Sequence, residues 1–382
     1  MLVRLRGLAS LVLVFAFVPA ALGADEPFRF PEGKEGKGEL KYINGLPVLH
    51  LEGTPEEIGT QMARLTAKHS VKLLNYPRNF LKLFDAEFTW PAILAAGRGL
   101  LANFPPDHLK ELETGIKASG LDRDLFIAAN TMFDVKKVIG CSVLMLDAER
   151  SATGKPLFGR NLDFPTLGYL QDYSLVVICC PEGKHPFVSV GFPGMIGVLS
   201  GMNDAGLTLA VLEVYSTCED SPRFDPKGTP YAICFRRLLE ECTTVDEAEK
   251  LLRSMHRTTR INLAICDTKQ SAVFEITPRS VVVRKGTEGI CPCTNHFRTR
   301  ELAYGCDCNR YDNLEKSRTL RKLDLSDLQK KLASANQGWL TLQTMIFEPA
   351  TLKLHLALGK PPTSALPMKT LDLGPMLAKE KK

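Results

Sequence analysis

The feature that most constrains the fold of this sequence is a change of pattern at Gly140. Before it, residues 55–139 place apolar side chains at helical spacing, with breaks near Pro77, Pro91 and Pro105-Pro106. Thr54 opens this stretch as a helix cap, with Pro55 in the first turn and Glu57 completing a capping box. After Gly140 the chain becomes a succession of short apolar runs of strand length, at 143–146, 157–161, 175–179, 187–190 and 207–214. Helices return at 230–240 and, capped by Thr244 with Glu247, at 245–254. Strands follow at 261–266, 272–276 and 281–284, then a helical stretch over about 310–335 and a last hairpin at 341–347 and 352–358. Another hairpin is expected around Asn44-Gly45. Several strands are apolar on both faces, as strands buried between layers must be. This order predicts an α+β fold: a four-layer αββα sandwich of two mainly antiparallel sheets between helices. The alternative is an α+β fold with an independent helical domain at the N-terminus.

The first residues speak for export. Arg4 and Arg6 precede an apolar or small run from 8 to 18, then Pro19 and the small residues Ala21-Leu22-Gly23. Residues 1–23 read as a cleaved signal peptide, too short for a membrane anchor, and a secreted or periplasmic protein is expected. No later stretch reaches the length of a membrane span. Residues 24–38 are charged and glycine-containing and read as a disordered leader. The formal charge is +5, and it is +3 without Arg4 and Arg6. Charges of both signs are mixed along the chain, a pattern that does not suggest nucleic acid as a partner. Lys369 and Lys379 to Lys382 read as a solvated end.

Eleven cysteines is a high count for an exported chain. Cys179, Cys180, Cys234, Cys242 and Cys266 sit in apolar or helical contexts suited to buried thiols. Cys291, Cys293, Cys306 and Cys308 form C-x-C-x12-C-x-C, which fits two disulfides better than a zinc knot, since zinc favours C-x-x-C. No metal or other cofactor is expected.

Cys141 stands apart by its setting, directly after a glycine and at the opening of a strand. One hairpin turn later comes Phe158-Gly159-Arg160-Asn161-Leu162-Asp163-Phe164. Two antiparallel strands joined by that turn bring Arg160 and Asp163 beside Cys141. As a surface ion pair the two charges would contribute little. In an apolar hairpin they need partners, and Cys141 with a free α-amino group would supply one.

These residues resemble the acyl-transferase and amidase branch of the N-terminal-nucleophile hydrolases, the acyl-coenzyme A:6-aminopenicillanic acid acyltransferase type. More distantly they resemble bile salt hydrolases, penicillin V acylases and acid ceramidase. The likeness spans most of the chain after residue 23. It rests on Gly140-Cys141 as processing site, Gly159 to Phe164 as the main motif, and Gly201-Met202-Asn203-Asp204-Ala205-Gly206-Leu207. It continues in Thr294-Asn295-His296-Phe297 and in Arg310 within Asn309-Arg310-Tyr311-Asp312-Asn313-Leu314. Met62-Ala63, where such proteins often have His-Gly, Ser142 in place of the usual Thr, and the late cysteine cluster depart from the pattern.

The resemblance implies the N-terminal-nucleophile fold and a precursor that cuts itself between Gly140 and Cys141. Residues 24–140 would form one chain and 141–382 the other, and the two would stay associated. Cys141 would be the nucleophile and its α-amine the base, with Asp163 holding the amine and Arg160 favouring thiolate. Asn295 and the Asn203 backbone N–H would stabilise the oxyanion, and Arg310 would complete the site. The chemistry fits: a thiol of ordinary pKa about 8.5 needs a base, and an α-amine at about 7.7 to 8.0 accepts protons near neutrality. Glycine at 140 would allow the unusual dihedrals that present its carbonyl to the thiol. The implied substrate is a small acyl amide, hydrolysed or used for acyl transfer. Phe164, Tyr169, Phe192, Pro193 and Met195 are candidates to line a pocket for an apolar acyl group.

Two rivals remain on sequence alone. One is a papain-like thiol hydrolase pairing Cys141 with His296, oriented by Asn309. The other is a non-catalytic secreted binding protein in which Cys141 is tied up in a disulfide.

Overall fold

The computed structural model describes residues 27–305 and 307–378. The expected signal peptide, Cys306 and Lys379 to Lys382 lie outside the described residues.

Sixteen strands are assigned among the described residues. They are β1 Gly33–Glu35, β2 Gly38–Ile43, β3 Leu46–Gly53, β4 Gly140–Leu146, β5 Leu157–Asp163, β6 Leu175–Pro181, β7 Phe187–Gly191 and β8 Ser200–Asn203. Then come β9 Thr208–Glu213, β10 Ile261–Cys266, β11 Ser271–Ile276, β12 Val281–Lys285, β13 Ile290–Cys293, β14 Thr341–Glu348, β15 Lys353–Ala357 and β16 Lys369–Asp372. One sheet has ten strands in the order β1-β2-β3-β6-β7-β8-β9-β10-β11-β12, and the other has six, β13-β4-β5-β14-β15-β16. Every ladder between these strands is antiparallel except β3 with β6.

The two sheets stack, and the alternation of side chains along β4 shows how. Cys141, Val143 and Met145 join the large apolar core shared with Leu209, Val211 and Leu263 of the ten-stranded sheet. Leu144 and Leu146 point the other way, into a second core with Leu328 and Leu332 of the helix Leu325–Ser334. β9, β10, β11 and β14 are buried throughout, so even polar residues such as Asn262, Glu275 and Gln343 lie between layers. On the outer face of the large sheet, a Cβ on Gly201 would meet Leu239 of the helix Tyr231–Glu241. Gly38 is covered in the same way by Gln61 of the helix Pro55–Leu65. The layers are therefore helix, sheet, sheet, helix, and the expected α+β sandwich is the observed one.

Local signals hold where side chain and backbone chemistry coincide. Thr54 with Glu57 and Thr244 with Glu247 both form complete capping boxes. Asn44 and Gly45 both have positive φ, as a tight hairpin between β2 and β3 requires. The prolines start helices rather than break them: Pro77, Pro91 and Pro106 each lie in the first turn of Tyr76–Leu83, Trp90–Leu100 and Pro106–Ser119.

Three expectations need correction. Residues 24–38 are not simply a disordered leader, because β1 and the start of β2 lie within them and Phe28 stacks on Tyr173. The helical stretch over 310–335 is two helices, Asn309–Glu315 and Leu325–Ser334, with a turn and loop between. Lys369 is exposed as a solvated end should be, yet it opens β16, and its ammonium donates to the Gly45 carbonyl at 3.2 Å.

Gly59 and Gly115 let the helices Pro55–Leu65 and Pro106–Ser119 approach closely, since a Cβ on Gly59 would lie 2.2 Å from the Glu111 carbonyl oxygen. Gly59→Ala should destabilise the fold by about 1–3 kcal/mol, the range for overpacking. Gly99→Ala, in a helix and with nothing within 4 Å of the added carbon, should be neutral or stabilising by about 0.5–1 kcal/mol. Urea unfolding of both variants checks this, and equal effects would remove the close approach as the cause.

Candidate active site

The residues around the Gly140-Cys141 peptide bond are held from several sides. β4 pairs with β5 so that Gly140 lies opposite Asp163 and Cys141 opposite Leu162. The Cys141 N–H donates to Asn295 Oδ1 at 2.8 Å, and its carbonyl accepts from Arg310 Nη1 at 2.6 Å. Arg310 Nη2 also donates to Asn295 Oδ1 at 3.0 Å. Asn295 Nδ2 donates to the carbonyls of Ile139, at 3.3 Å, and Glu213, at 2.9 Å. Upstream, the N–H groups of Val138 and Ile139 both donate to Glu213 Oε2, at 2.7 and 2.8 Å.

Arg160 and Asp163 are three residues apart and so project from opposite faces of β5. Arg160 faces the large sheet and donates from Nη1 to the Val211 carbonyl of β9 at 2.5 Å. It is fully buried, and its Nε and Nη2 have no hydrogen-bond partner among the described residues. Asp163 faces the helix layer, where it accepts from Thr341 Oγ1 at 2.6 Å and Gln337 Nε2 at 2.8 Å, with Arg310 Nη1 at 3.6 Å. The surface ion pair considered from sequence does not exist: both groups are buried, with the strand between them.

Burial sets the electrostatics. Cys141 has no exposed surface, and burial pushes its thiol up to about 12, with Asp163 and Glu213 adding to the rise and Arg160 and Arg310 opposing it. The thiol is therefore neutral and out of reach of solvent. Asp163 is raised by burial, against the hydrogen bonds of Thr341 and Gln337 and the charges of Arg310 and Arg160. Glycine at 140 is not required by special dihedrals, and the space beside it is taken by the Gln337 amide. Gly140 is an ordinary strand residue without a positive φ, but a Cβ there would lie 2.1 Å from Gln337 Nε2.

Cys141, Arg160, Asp163, Asn295 and Arg310 are thus brought together; Asn203 is not. Its N–H is committed to the Leu207 carbonyl at 3.0 Å, and its side chain ties that turn to the end of the helix Tyr231–Glu241 through the carbonyls of Leu239 and Cys242. The turn lies at the far end of β9 from Glu213, roughly 20 Å away at about 3.3 Å per residue. Asn203 stabilises a turn, and the Asn203 backbone donor expected at the oxyanion is corrected accordingly.

Glu213 takes part instead, through both its carboxylate and its carbonyl, and sequence reasoning missed it. The signal was present: an acidic residue inside the apolar run 207–214, the same kind of anomaly that drew attention to Arg160. Gln337 and Thr341 were missed because Asn336-Gln337-Gly338 reads only as a turn.

The rival arrangements find little support. The His296 ring engages the Thr294 hydroxyl at 3.3 Å and Cys308, not Cys141, while its carbonyl holds Asn262. Asn309 starts the helix Asn309–Glu315. Cys141 is a free thiol, as are Cys291, Cys293 and Cys308 of the late cluster. Among the described residues no group of three or more His, Cys, Asp or Glu is placed to hold a metal ion. Cys308 is a second unusual thiol: burial raises it, but bonds to His296, the Tyr311 N–H and Thr294, with the charge of Arg310, bring it down to about 6.

An apolar cleft of about 410 Å³, open to solvent, begins next to Asp163, at Phe164. Phe192, Pro193 and Met195 line it with Leu74 and Tyr76. Tyr169 packs edge-on against Tyr76 behind that wall.

Two stacked sheets between helix layers, with a glycine-preceded cysteine opening an inner strand, frame this site. Residues 150–311 match the model of the acyl-coenzyme A:6-aminopenicillanic acid acyl-transferase family. The match includes Arg160, Asp163, Glu213, Asn295 and Arg310 and begins after Cys141. An uncharacterised protein of Archaeoglobus fulgidus is 22% identical over 66% of this chain, and the chain spans about half, 47%, of that relative's length. Among solved structures, an N-acylethanolamine-hydrolyzing acid amidase ortholog from Caenorhabditis elegans is 17% identical with a TM-score of 0.44, covering 60% of this chain and all of its own. A conjugated bile acid hydrolase from Clostridium perfringens is 14% identical with a TM-score of 0.43, over 62% of this chain and 93% of its own. Among the described residues no helix is long and apolar enough to cross a membrane.

Upstream of Val138, burial pushes the Asp134 carboxyl up to about 7, against bonds from Thr258 and the Tyr231 N–H and the charge of Lys137. A carboxyl whose folded value is raised favours the fold while protonated. That contribution is complete below its unfolded value of 3.8 and is lost as pH rises through about 7. In a Cys141→Ala background, the stability of Asp134→Asn relative to its parent should therefore improve steadily from pH 4 to 7.5. Denaturant titrations at several pH values measure it, and a pH-independent difference would mean that Asp134 stays ionised in the fold.

Proposed function

We propose that this chain is an exported, self-processing cysteine amidohydrolase or acyltransferase that acts on a linear C–N amide bond. Cys141 becomes its N-terminal nucleophile once the Gly140-Cys141 bond is cut. The observation that carries this reading is the convergence of Glu213, Asn295 and Arg310 on the backbone immediately before and after that one bond, with a partner-poor guanidinium, Arg160, on the thiol's face of β5. A buried charge with unmet donors is costly unless an anion comes to it, and a thiolate at Cys141 is that anion.

Processing and hydrolytic turnover each consume one water. In processing, the Cys141 sulfur adds to the Gly140 carbonyl carbon and the C–N bond breaks. The thiol proton passes to the departing nitrogen, leaving a thioester and a free amine. Water then cleaves the thioester to give the Gly140 carboxyl group and the thiol. In turnover, the α-amine takes the thiol proton, the thiolate attacks the substrate carbonyl, the proton passes to the leaving amine, and water or an acceptor amine then cleaves the acyl thioester to release the product and restore the thiol. Asn295 suits both stages. While the chain is uncut, its NH₂ group is occupied by the Ile139 and Glu213 carbonyls, and withdrawal of residues 138–140 frees one N–H for the oxyanion of an incoming amide. Asp163, raised by burial but bonded by Thr341 and Gln337, stands opposite Gly140 to receive the new ammonium. The cleft beside Phe164 supports an apolar acyl group. Export rests on the sequence of residues 1–23, and the two processed pieces, 24–140 and 141–382, would act as one unit.

N-terminal sequencing and intact mass, read beside turnover of a panel of acyl amides, test the proposal. Cys141→Ala should remain one chain and inactive. Asn295→Ala should mature at least in part and lose about 10²- to 10³-fold in turnover, or about 2.7–4 kcal/mol of transition-state stabilisation. Alkylation of Cys141, followed on its own peptide to separate it from Cys308 and exposed Cys218, should be slow before the cut and fast after it. An active protein with residue 141 still amide-linked would overturn the self-processing reading. An Asn295→Ala enzyme at the wild-type rate would remove Asn295 from the chemistry.

A further inference from the structure

We propose that Gln337 is a positioning residue of this site, one that sets the ionisation of Asp163 and occupies the space a side chain at residue 140 would take. The inference rests on the reading of Gly140-Cys141 as the processed bond. Residues 336–341 form a short turn entering β14, with Gly338 at a φ of +60°. In this turn the Gln337 N–H donates to Thr341 Oγ1 at 2.8 Å, and the same hydroxyl donates to Asp163 Oδ1 at 2.6 Å. The Gln337 side chain returns to donate from Nε2 to Asp163 Oδ2 at 2.8 Å. One six-residue turn therefore occupies both carboxylate oxygens of Asp163.

The same Nε2 lies where a side chain at 140 would be, 2.1 Å from an ideal Cβ. The Gln337 amide is thus wedged between Asp163 and the backbone of Gly140. Before the cut it covers Gly140 and holds the carboxylate in place. After residue 140 withdraws, Gln337 and the new α-ammonium share Asp163, and the carboxylate charge that the ammonium feels depends on how much of it Gln337 takes up. No atom of Gln337 is placed to exchange a proton with substrate, so its effect passes through Asp163.

Removing the amide should move the acid limb of the pH–rate profile upward, for two reasons that act together. Asp163 loses a bond that lowers its pKa, so it ionises at higher pH. The remaining carboxylate charge is also less shared, so it holds the ammonium form of the base more tightly. The expected shift for Gln337→Ala is roughly one pH unit, the scale of one charge-assisted hydrogen bond, with kcat falling about tenfold near neutrality and KM changing little. Gln337→Glu keeps the side chain's size and can donate only when protonated, so it should recover activity on the acid side alone. A residue that served only folding would shift neither limb.

The steric half of the inference has its own test. Gly140→Ala should slow the cut, because the new methyl and the Gln337 amide compete for one space and the amide must swing off Asp163, and Gly140→Ala/Gln337→Ala should restore it in part, because the nearest remaining contact of the new Cβ is then Asp163 Cβ at 3.2 Å. The experiment combines N-terminal sequencing of these variants with pH–rate profiles of Gln337→Ala and Gln337→Glu on an acyl amide turned over by the wild type. Gln337→Glu stands in if Gln337→Ala does not fold. Wild-type pH profiles for the Gln337 variants, or a double variant cut no better than Gly140→Ala, would overturn the role of Gln337 and leave the nucleophile untouched. A Cys141→Ala protein that still cuts itself and turns over substrate would instead overturn the reading on which the inference rests.

Discussion

A charged side chain lodged between two apolar sheets is the constraint around which the rest of the molecule is arranged. Arg160 has nowhere to send its charge except toward the groups that line the same interface. Its one bond, to the Val211 carbonyl, fixes where β5 of one sheet lies over β9 of the other. That placement brings Glu213, two residues further along β9, under the segment that leads into β4, and it leaves the thiol of Cys141 on the guanidinium's side of the hairpin. A large desolvation penalty is tolerated at this point, and it becomes intelligible if the interface is built for an anion that appears only when chemistry starts.

Much of the fold was legible because its signals are local or periodic. The two capping boxes, the Asn44-Gly45 hairpin and the apolar runs within β9 and β10 each carry their own chemistry in a few consecutive residues. β1, β13 and β16 escaped because they are short, and β13 also takes its partner from a distant part of the chain: it pairs with β4, some 150 residues earlier, and contains a proline. Gly33–Glu35 has no apolar residue at all, and only the adjoining β2 makes it a strand.

The candidate site divides along the same line. Charged residues in apolar surroundings stand out, and Arg160 and Asp163 were found that way. Asn203 drew notice through a motif that turns out to be a reverse turn, held by its own Asn side chain. Glu213 lies on the strand leaving that turn, so the motif pointed to the right strand and the wrong end of it. Gln337 and Thr341 act on Asp163 across more than 170 residues, and a neutral amide and a hydroxyl in a turn give no warning of that.

The parallel pairing of β3 with β6 has a mechanical consequence. β3 precedes Gly140 and β6 follows it, and the pair lies in the interior of a ten-stranded sheet, with β2 and β1 continuing outward from β3. Were the chain opened at Gly140, the shorter piece would still contribute three strands to a sheet whose other seven belong to the longer one. Separating the pieces would mean peeling a strand off along a full ladder of backbone hydrogen bonds while exposing Leu49 and Leu51 to water. A nick at that position relieves the backbone of its continuity without loosening the weave, so the new chain end can move by the few ångströms that chemistry asks for while everything a residue or two behind it stays where the sheet holds it.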